Sequence, residues 1–321
     1  MNELVQDCQV EEYMEDDNYV IKLTNVNDGA VGFMKFYEVM DGMMIVINEF
    51  HMHSVKSNFE AKSKLFCIDY CLEGKIEQEQ TNNTVSYMQS GDTKLYSMLN
   101  HNTNFYFPLK HYIGITVGLD IDKVQASIDK LMPDFPFKIK DFKDKFNLDK
   151  EIYFVRKDAK FNLIFKDIYY ADKEFKRQMI KVKVLELLLN LGLLDFKKDS
   201  KKVMYFYKYQ IEKVKALHKY LRENLDNHDT LDDLSAKFDI SLTNMKLCFK
   251  EVYGQPIHSY LRSLRMKKAT ELLQSSDEDI VDIATAVGYD NASKFSAAFK
   301  KEIGVLPNTY RKVSKGGNKN E

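Results

Sequence analysis

Two kinds of hydrophobic pattern follow one another along the chain. From residue 20 to about residue 119, apolar runs alternate with Gly, Asn and Asp turns, which is typical of strands in a β sandwich or barrel; the clearest runs are residues 43–50, 65–72 and 111–119. From about residue 120 the spacing of apolar residues becomes helical. The amino-terminal part is therefore predicted to be β-rich, with helices packed after the strands.

The last predicted helix of this part is apolar on nearly all of its faces. Residues 182–194 must be covered by the β-rich domain or by a second chain, and the pattern leaves both alternatives open. The polar, charged stretch 195–202 has no apolar period and marks the boundary region. We therefore expect a sensing or dimerisation domain at residues 1–200 and a second domain at residues 203–321.

The carboxy-terminal domain contains an internal repeat. Two short amphipathic helices are each followed by a tight turn and a second amphipathic helix, with about 50 residues between the copies. Each copy ends in a glycine stop and a proline that opens the next element. The matched positions are Leu231, Leu234, Ser235, Phe238, Met245, Cys248, Phe249 and Val252 in the first copy and Ile280, Ile283, Ala284, Val287, Phe295, Ala298, Phe299 and Ile303 in the second.

One uninterrupted helix is predicted between the two copies. Residues 256–273 contain no interior Gly or Pro, and a helix of this length measures about 27 Å. That length suits two helix-turn-helix motifs placed about one turn of DNA, ~34 Å, apart, with the second helix of each motif in the major groove. The predicted fold class is α+β: a β-rich domain with appended helices, then an all-α domain of two helix-turn-helix units joined by a linker helix.

Charge is distributed unevenly along the chain. Residues 201–321 carry 21 Lys and Arg against 16 Asp and Glu, a net charge of +5, whereas residues 1–200 carry 26 against 32, a net charge of −6. A cationic excess at the helical end favours a polyanionic partner there. Neither an apolar run of membrane length nor a signal peptide is apparent, so we expect a cytoplasmic protein without a membrane partner.

The carboxy-terminal sequence resembles a known family. Over residues 210–312 it is similar to the AraC/XylS transcription regulators, most clearly in IATAVGYDNASKFSAAFKKEIGVLPNTYRK. The amino-terminal half, through FCIDYCLEGKIE, SGDTKLYSM and HYIGITVGLDI, is similar to a pyochelin-receptor-regulator-like branch. The positions that carry the first resemblance are Arg265, Ala269, Leu272, Leu273, Ile280, Ile283, Ala284, Gly288, Tyr289, Ser293, Phe295, Phe299, Gly304, Pro307, Tyr310 and Arg311.

This resemblance implies a bacterial transcription regulator. Its amino-terminal half would sense a signal or dimerise, and its carboxy-terminal half would bind double-stranded promoter DNA and contact RNA polymerase. We expect an activator that responds to an unidentified small-molecule effector or acts as a homodimer. The alternative is a ligand-binding or enzymatic β domain whose helical part docks a protein partner.

The second helix of each motif offers one face to DNA once its apolar face is assigned to the core. Phosphate contacts are predicted for Arg265, Lys268 and Arg311. For any one lysine, a solvated surface position is an equally good interpretation. The predicted groove-facing residues are Thr243, Lys246, Leu247 and Lys250 in the first motif and Ser293, Lys294, Ser296, Ala297 and Lys300 in the second.

Two of these positions depart from the family pattern. Family members often carry arginine, the commonest partner of guanine, where this chain has Leu247 and Ala297. Their apolar side chains favour contact with the thymine methyl group, the alternative being that they face solvent or phosphate. The chain also has 41 Lys and 6 Arg, a bias often found where codons are A·T-rich. An A·T-rich operator is therefore predicted.

Features of metal or covalent chemistry are weaker. His51 and His53 project from one face of a predicted strand, but nothing completes a ligand set, so exposed or hydrogen-bonded histidines are favoured over a metal site. Cys67 and Cys71 are interpreted as core, and the four cysteines are too scattered for a disulfide framework. No catalytic spacing or phosphate-binding glycine loop stands out, so neither enzymatic activity nor a cofactor is expected.

Overall fold

The computed structural model divides the chain into two compact units, Met1–Tyr205 and Phe206–Glu321. It describes residues 5–57, 65–79, 83–97, 104–148, 152–194 and 205–316. In these stretches no helix has both the length and the apolar character needed to cross a lipid bilayer. The first unit is β-rich with helices, and the second is helical apart from one short strand, which confirms the predicted fold class.

The first unit is built around an antiparallel sheet. Its strands are β1 (Val5–Gln6), β2 (Cys8–Glu15), β3 (Asn18–Asn25), β4 (Val31–Met40), β5 (Met43–His51), β6 (Ser54–Ser57), β7 (Leu65–Glu79), β8 (Thr84–Gln89), β9 (Asp92–Ser97), β10 (Asn104–Tyr106), β11 (Tyr112–Asp120) and β12 (Tyr153–Arg156). The strand order in the sheet is β1-β6-β10-β7-β11-β5-β4-β3-β2. Strands β8 and β9 also pair with β7, and β12 pairs with β9.

Alternate side chains of the sheet belong to two hydrophobic clusters. On β7, Ile68 and Tyr70 join the cluster that packs against the helices, whereas Cys71 joins a cluster on the opposite face. Cys67 and Cys71 are both buried, in agreement with their interpretation as core. The stacked rings of Tyr70 and Phe165, 4.4 Å apart, connect the sheet to the helical layer.

Strand pairing begins earlier than the sequence pattern predicts. β2 forms a hairpin with β3 through Asp16 and Asp17, which have φ values of 48° and 57°. The sequence of β2 is CQVEEYME and most of its residues are exposed, so this edge strand has too few apolar residues to produce a recognisable alternation. β12 was missed for another reason: it is short and lies between helices.

Four helices of the first unit are described: α1 (Ile121–Leu131), α2 (Ile139–Lys145), α3 (Ala159–Tyr169) and α4 (Lys176–Leu193). Asp120 caps α1 and Asp158 caps α3 by accepting backbone N–H bonds. In α4, five apolar residues are buried, but Val182 is 59% exposed and Leu193 is 76% exposed. The first unit therefore covers part of this apolar helix. The predicted boundary at residues 195–202 lies outside the described residues.

The second unit begins with β13 (Phe206–Tyr207) and continues with seven described helices. The predicted linker helix is present as α8, which begins one residue after Pro256 and extends two residues beyond the predicted end. The helices are α5 (Lys208–Glu223), α6 (Leu231–Lys237), α7 (Leu242–Tyr253), α8 (Ile257–Ser275), α9 (Ile280–Ala286), α10 (Ala292–Ile303) and α11 (Pro307–Gly316).

Candidate nucleic-acid interface

The first helix-turn-helix motif consists of α6, a tight turn and α7. The Thr230 hydroxyl accepts a hydrogen bond from the Asp233 N–H, and the Asp233 carboxylate accepts one from the Thr230 N–H. Ser241 caps α7 by accepting from the N–H of Asn244. Between the helices, Asp239 has a φ of 47°, in the left-handed region that reverses the chain. Local sequence therefore defines both ends of the turn.

α7 has one buried side and one exposed side. The buried residues are Met245, Cys248, Phe249 and Val252. The exposed ones include all four predicted groove-facing residues, Thr243, Lys246, Leu247 and Lys250. Leu247 is 43% exposed, so its apolar side chain is accessible to a partner. The structure places these four residues on one accessible face, and their contact with DNA stays a prediction.

The second motif, α9 and α10, repeats this plan with different residues. Asn291 caps α10 by accepting from the N–H groups of Ser293 and Lys294. Gly288, with a φ of 77°, makes the turn, and Gly304, with a φ of 90°, ends α10. Phe299 lies in a buried cluster with residues of α8 and α9. Both motifs are thus complete helix pairs, and the second helix of each has a side-chain cap.

α10 also separates core from surface. Ser293, Lys294, Ala297 and Lys300 are exposed, whereas Ser296 is half-buried. The structure therefore brings four of the five predicted residues to the accessible side and turns Ser296 partly toward the core. As in α7, the assignment of base contacts to this side stays a prediction.

Charge is sorted between the two helices of each motif. α7 contains two lysines and one glutamate, and α10 contains three lysines and one glutamate. The glutamate of α10, Glu302, accepts a hydrogen bond from Ser263 and faces Arg262 on α8. The first helices carry the acidic residues Asp232 and Asp233 on α6 and Asp282 on α9. The second helices therefore present the cationic surfaces that a polyanion requires.

Arg265 of the linker helix connects the two motifs. Its Nε donates to the Leu225 carbonyl and one Nη donates to the Asn227 carbonyl, both at 2.8 Å. The same guanidinium lies against the second turn, so that a Cβ added at Gly288 would come within 2.5 Å of it. Burial lowers the pKa of Arg265. We call Arg265, Leu225, Asn227 and Gly288 the inter-motif clasp.

A second contact joins the same two regions. His228, just before α6, lies 3.2 Å from the carboxylate of Asp290, in the turn of the second motif. The clasp had no signal in the sequence, because carbonyl acceptors can belong to any residue type and lie about 40 positions from Arg265. Arg265 is one of the positions that carry the resemblance, and its positive charge led to a predicted phosphate contact, whereas its described hydrogen bonds lie within the unit.

The other two predicted phosphate contacts differ in accessibility. Lys268 is exposed, with its Nζ 3.7 Å from Glu271 on the same helix. Arg311 donates to the Glu278 carbonyl at 2.6 Å, so that it connects α11 to the segment before α9. Lys267 is an additional exposed cation, next to Lys268 in the linker helix. The side chain of Lys268 is therefore more accessible to a phosphate group than those of Arg265 and Arg311.

The candidate metal residues lie in the first unit. The His51 ring stacks on His111, with the two Nδ1 atoms 3.3 Å apart, and Nε2 of His111 lies 3.1 Å from Glu73. Both His51 and His53 are exposed. Within the described ranges, no three His, Cys, Asp or Glu side chains are arranged to hold a metal ion. This cluster is a hydrogen-bonded histidine pair.

Comparison with known proteins agrees with this geometry. A family described as "Helix-turn-helix domain" matches residues 234–313. The MmsAB operon regulatory protein of Pseudomonas aeruginosa is 35% identical over 103 residues, which are 32% of this chain and 33% of that protein. The transcriptional regulator Rob of Salmonella typhimurium is 34% identical over 95 residues, 30% of this chain and 33% of that protein. The matches thus span about a third of these relatives.

Among solved structures, the carboxy-terminal domain of AraT, a response regulator from Geobacillus stearothermophilus, is 34% identical. The match covers 32% of this chain and 84% of that domain, with a TM-score of 0.31. The two motifs described above and the family match identify the second unit as a tandem helix-turn-helix domain. It is a domain of the AraC type. The similarity of the first unit to a pyochelin-receptor-regulator-like branch stays a prediction.

Proposed function

We propose that the chain is a sequence-specific, DNA-binding transcription regulator whose α7 and α10 enter successive major-groove segments of one duplex. The observation that carries this proposal is the pair of motifs, each with a capped, cationic and accessible second helix, held together by the inter-motif clasp. Two recognition helices held at a fixed distance contact two DNA segments at a set separation. Such a protein acts in the cytoplasm of a bacterium, where promoter DNA lies.

The accessible side chains also support a base preference. Leu247 and Ala297 have no hydrogen-bonding groups, and their exposed apolar surface suits the methyl group of thymine. The lysines around them suit phosphate oxygens, which fix the register of the protein without reading sequence. The proposed operator is therefore A·T-rich at the base pairs that face these two residues.

The first unit would control this DNA binding. We assign it the binding of a small-molecule effector or the formation of a homodimer, and we assign the whole protein the role of an activator that contacts RNA polymerase. The dimer proposal is supported by α4, which exposes Val182 and Leu193, and by the 61% exposed Leu163 on neighbouring α3. Exposed apolar residues on adjacent helices are typical of helix-mediated association.

The test is binding of the full chain to promoter fragments from its own locus, followed by fluorescence anisotropy over a series of salt concentrations. Specific binding should weaken steeply with salt, because each neutralised phosphate contributes about −0.9 to the slope of log K against log salt on B-DNA. Footprinting should reveal two protected major-groove segments about one helical turn apart.

The control is a fragment of the same length and base composition in shuffled order. Equal affinity for the two fragments would leave only non-specific binding and would contradict the proposal. Absence of retention at low salt would instead favour a helical unit that docks a protein partner. Selection of bound sequences from a random pool checks the operator separately, and a G·C-rich consensus would contradict the proposed base preference.

A further inference from the structure

A cavity of about 670 Å³ lies in the first unit, between strands β3 to β5 and the first turn of α4. Its floor is apolar and aromatic, formed by Val20, Phe33, Tyr37 and Ile47. Tyr37 and Ile47 belong to the cluster on the helix-facing side of the sheet, so the cavity is separate from the cluster on the opposite face. Its volume is typical of sites for small organic molecules.

The cavity is lined by two lysines whose ammonium groups both lie near the ring of Tyr37. Nζ of Lys176 lies 5.5 Å and Nζ of Lys35 lies 5.9 Å from the centroid of Tyr37. Lys176 donates to the Tyr169 carbonyl at 2.9 Å, and no carboxylate within the described part of the chain forms a salt bridge with it. Burial and the charge of Lys35 lower the pKa of Lys176, and the charge of Glu49 opposes this lowering only in part. The positive charge of Lys176 is therefore not balanced by a paired carboxylate within the described part of the chain.

The carboxylates of the cavity are already engaged or lie at its edge. Glu49 accepts a hydrogen bond from the Tyr169 hydroxyl at 2.8 Å. Glu15, 53% exposed, pairs with Lys35, and an exposed pair of this kind contributes little to stability and can give way to a ligand. The remaining acidic lining residues are Asp16, Asp17 and Glu174. An anion could thus reach both lysines.

The start of α4 adds to the positive potential on that side. α4 begins at Lys176 with no side-chain cap and no acidic residue in its first turn. Lys176, Arg177 and Gln178 of this first turn line the cavity, so the positive end of the helix dipole lies at its wall without a side-chain acceptor. The cavity therefore combines an apolar floor with cationic groups on one wall.

We propose that this cavity binds a small monoanion with a flat apolar body, of the aromatic carboxylate class. The carboxylate is held between Lys176 and Lys35, and the ring lies against Phe33 and Tyr37. The role of this ligand as the effector rests on the proposed function, whereas its binding does not require DNA.

The experiment uses the full chain without DNA and measures thermal unfolding and titration calorimetry. The probes are benzoate, 3-phenylpropionate and 2-naphthoate, each with its alcohol and amine analogue. The variants are Lys176→Met, Lys176→Arg and Lys35→Met. The matched control is Lys173→Met, because Lys173 lines the same cavity but its side chain is 90% exposed.

At least one carboxylate is expected to raise the unfolding temperature, while its alcohol and amine do not. Lys176→Met should weaken binding by about tenfold or more, since a hydrogen-bonded charge pair contributes about 1.5–3 kcal/mol. Lys176→Arg should retain most of the affinity and Lys173→Met nearly all of it. Lys176→Met should unfold at the same or a higher temperature than the unsubstituted protein, because it removes a charge that burial opposes.

The proposal is overturned if no carboxylate shifts the transition at concentrations on the order of 10 mM, or if the alcohols bind as well as the acids. Unchanged affinity in Lys176→Met would also overturn it. Failure of the DNA-binding proposal has a separate signature, because promoter retention is measured without any carboxylate present.

Discussion

The two helix-turn-helix motifs of the second unit share a plan but are held in different ways. The first turn uses Asp239, whose backbone carbonyl and carboxylate both accept hydrogen bonds from Lys213 on α5. The second turn uses Gly288, which is buried against Arg265 and the Leu225 carbonyl. The first turn is thus stabilised from within its own half of the unit, whereas the second turn is packed against the other half.

This difference shows how one unit can fix the separation of two recognition helices. The clasp connects the segment before α6 to the turn before α10 through a residue of the linker helix. A change in the clasp should therefore alter the placement of α10 relative to α7. A change in the first turn or its aromatic neighbours should alter α7 alone.

Gly288→Ala is the substitution with the largest expected effect. The new Cβ would lie 2.5 Å from both the Leu225 carbonyl oxygen and the Arg265 guanidinium, at a φ of 77°. Steric overlap with backbone and left-handed strain together should lower the free energy of unfolding by about 3 kcal/mol. Urea unfolding of the full chain followed by circular dichroism measures this loss.

Two other glycines provide matched controls for Gly288→Ala. Gly254 and Gly304 have φ values of 77° and 90°, and an added Cβ would meet nothing within 4 Å at either position. Gly254→Ala and Gly304→Ala should therefore lose only the conformational part, about 1 kcal/mol. Equal losses at all three glycines would contradict the role of Gly288 in the clasp.

Arg265→Gln should have a smaller effect on stability, about 2 kcal/mol, because it removes charge-assisted hydrogen bonds to two carbonyls. Its more specific consequence concerns DNA. The unsubstituted protein should bind an operator with one base pair inserted between the two segments about tenfold more weakly than the intact operator. The variant should discriminate less between these two operators.

The ratio of the affinities for these two operators distinguishes a positioning role of Arg265 from a contribution to stability or charge alone. Lys268→Gln removes one positive charge from an exposed position of the same helix. It should weaken binding to both operators equally and leave their ratio unchanged. If Arg265→Gln did the same, Arg265 would be a phosphate contact, as the sequence predicted, and not a positioning residue.

The pH dependence of the first motif should rest on His218. This ring stacks on Tyr253 with centroids 4.0 Å apart, and its Nε2 lies 2.7 Å from the Tyr260 hydroxyl. Burial and then the charge of Arg222 lower the pKa of His218 from 6.5 to about 4. Tyr310, at the position that matches Tyr260, accepts instead from Gln274, which does not titrate in this range.

Acid should therefore weaken the first motif before the second. As the pH falls through 6.5 the unfolded chain takes up a proton at His218, whereas the folded chain does not until about pH 4. This contribution to stability is complete above pH 6.5 and declines between pH 6.5 and 4. The difference between the pKa of His218 in the unfolded and the folded chain corresponds to a free energy of about 3 kcal/mol, which solvent screening reduces to about 1–2 kcal/mol.

Hydrogen exchange, corrected for the intrinsic rate at each pH, should detect this loss in α5 and α7 and not in α9 and α10. His218→Phe keeps an aromatic ring against Tyr253 and removes the titrating group, so protection of α7 should become insensitive to pH in this range. A loss of protection that spread equally over both motifs would contradict the assignment.

The sequence predicted the motifs better than the contacts between them. Local patterns were sufficient for α7 and α10, because buried residues such as Phe249 and Phe299 recur with helical spacing and each helix has a cap. The clasp depends on main-chain carbonyls far along the sequence, which leave no pattern. β2 was missed because an exposed edge strand lacks alternating apolar residues. The position of Lys176 at the wall of a cavity was missed because it depends on the tertiary fold.

The smallest expected effects concern Lys250 and Lys300, which occupy matched positions on α7 and α10 and are both exposed. If the two motifs contact DNA alike, Lys250→Ala and Lys300→Ala should each weaken binding by about 1 kcal/mol or less on every sequence and reduce the salt slope by about 1. Lys219→Ala, at a 76% exposed position of α5, should leave the slope unchanged. A reduced slope for one lysine only would mean that one motif carries the phosphate contacts, and the clasp would then orient the other motif toward a different partner.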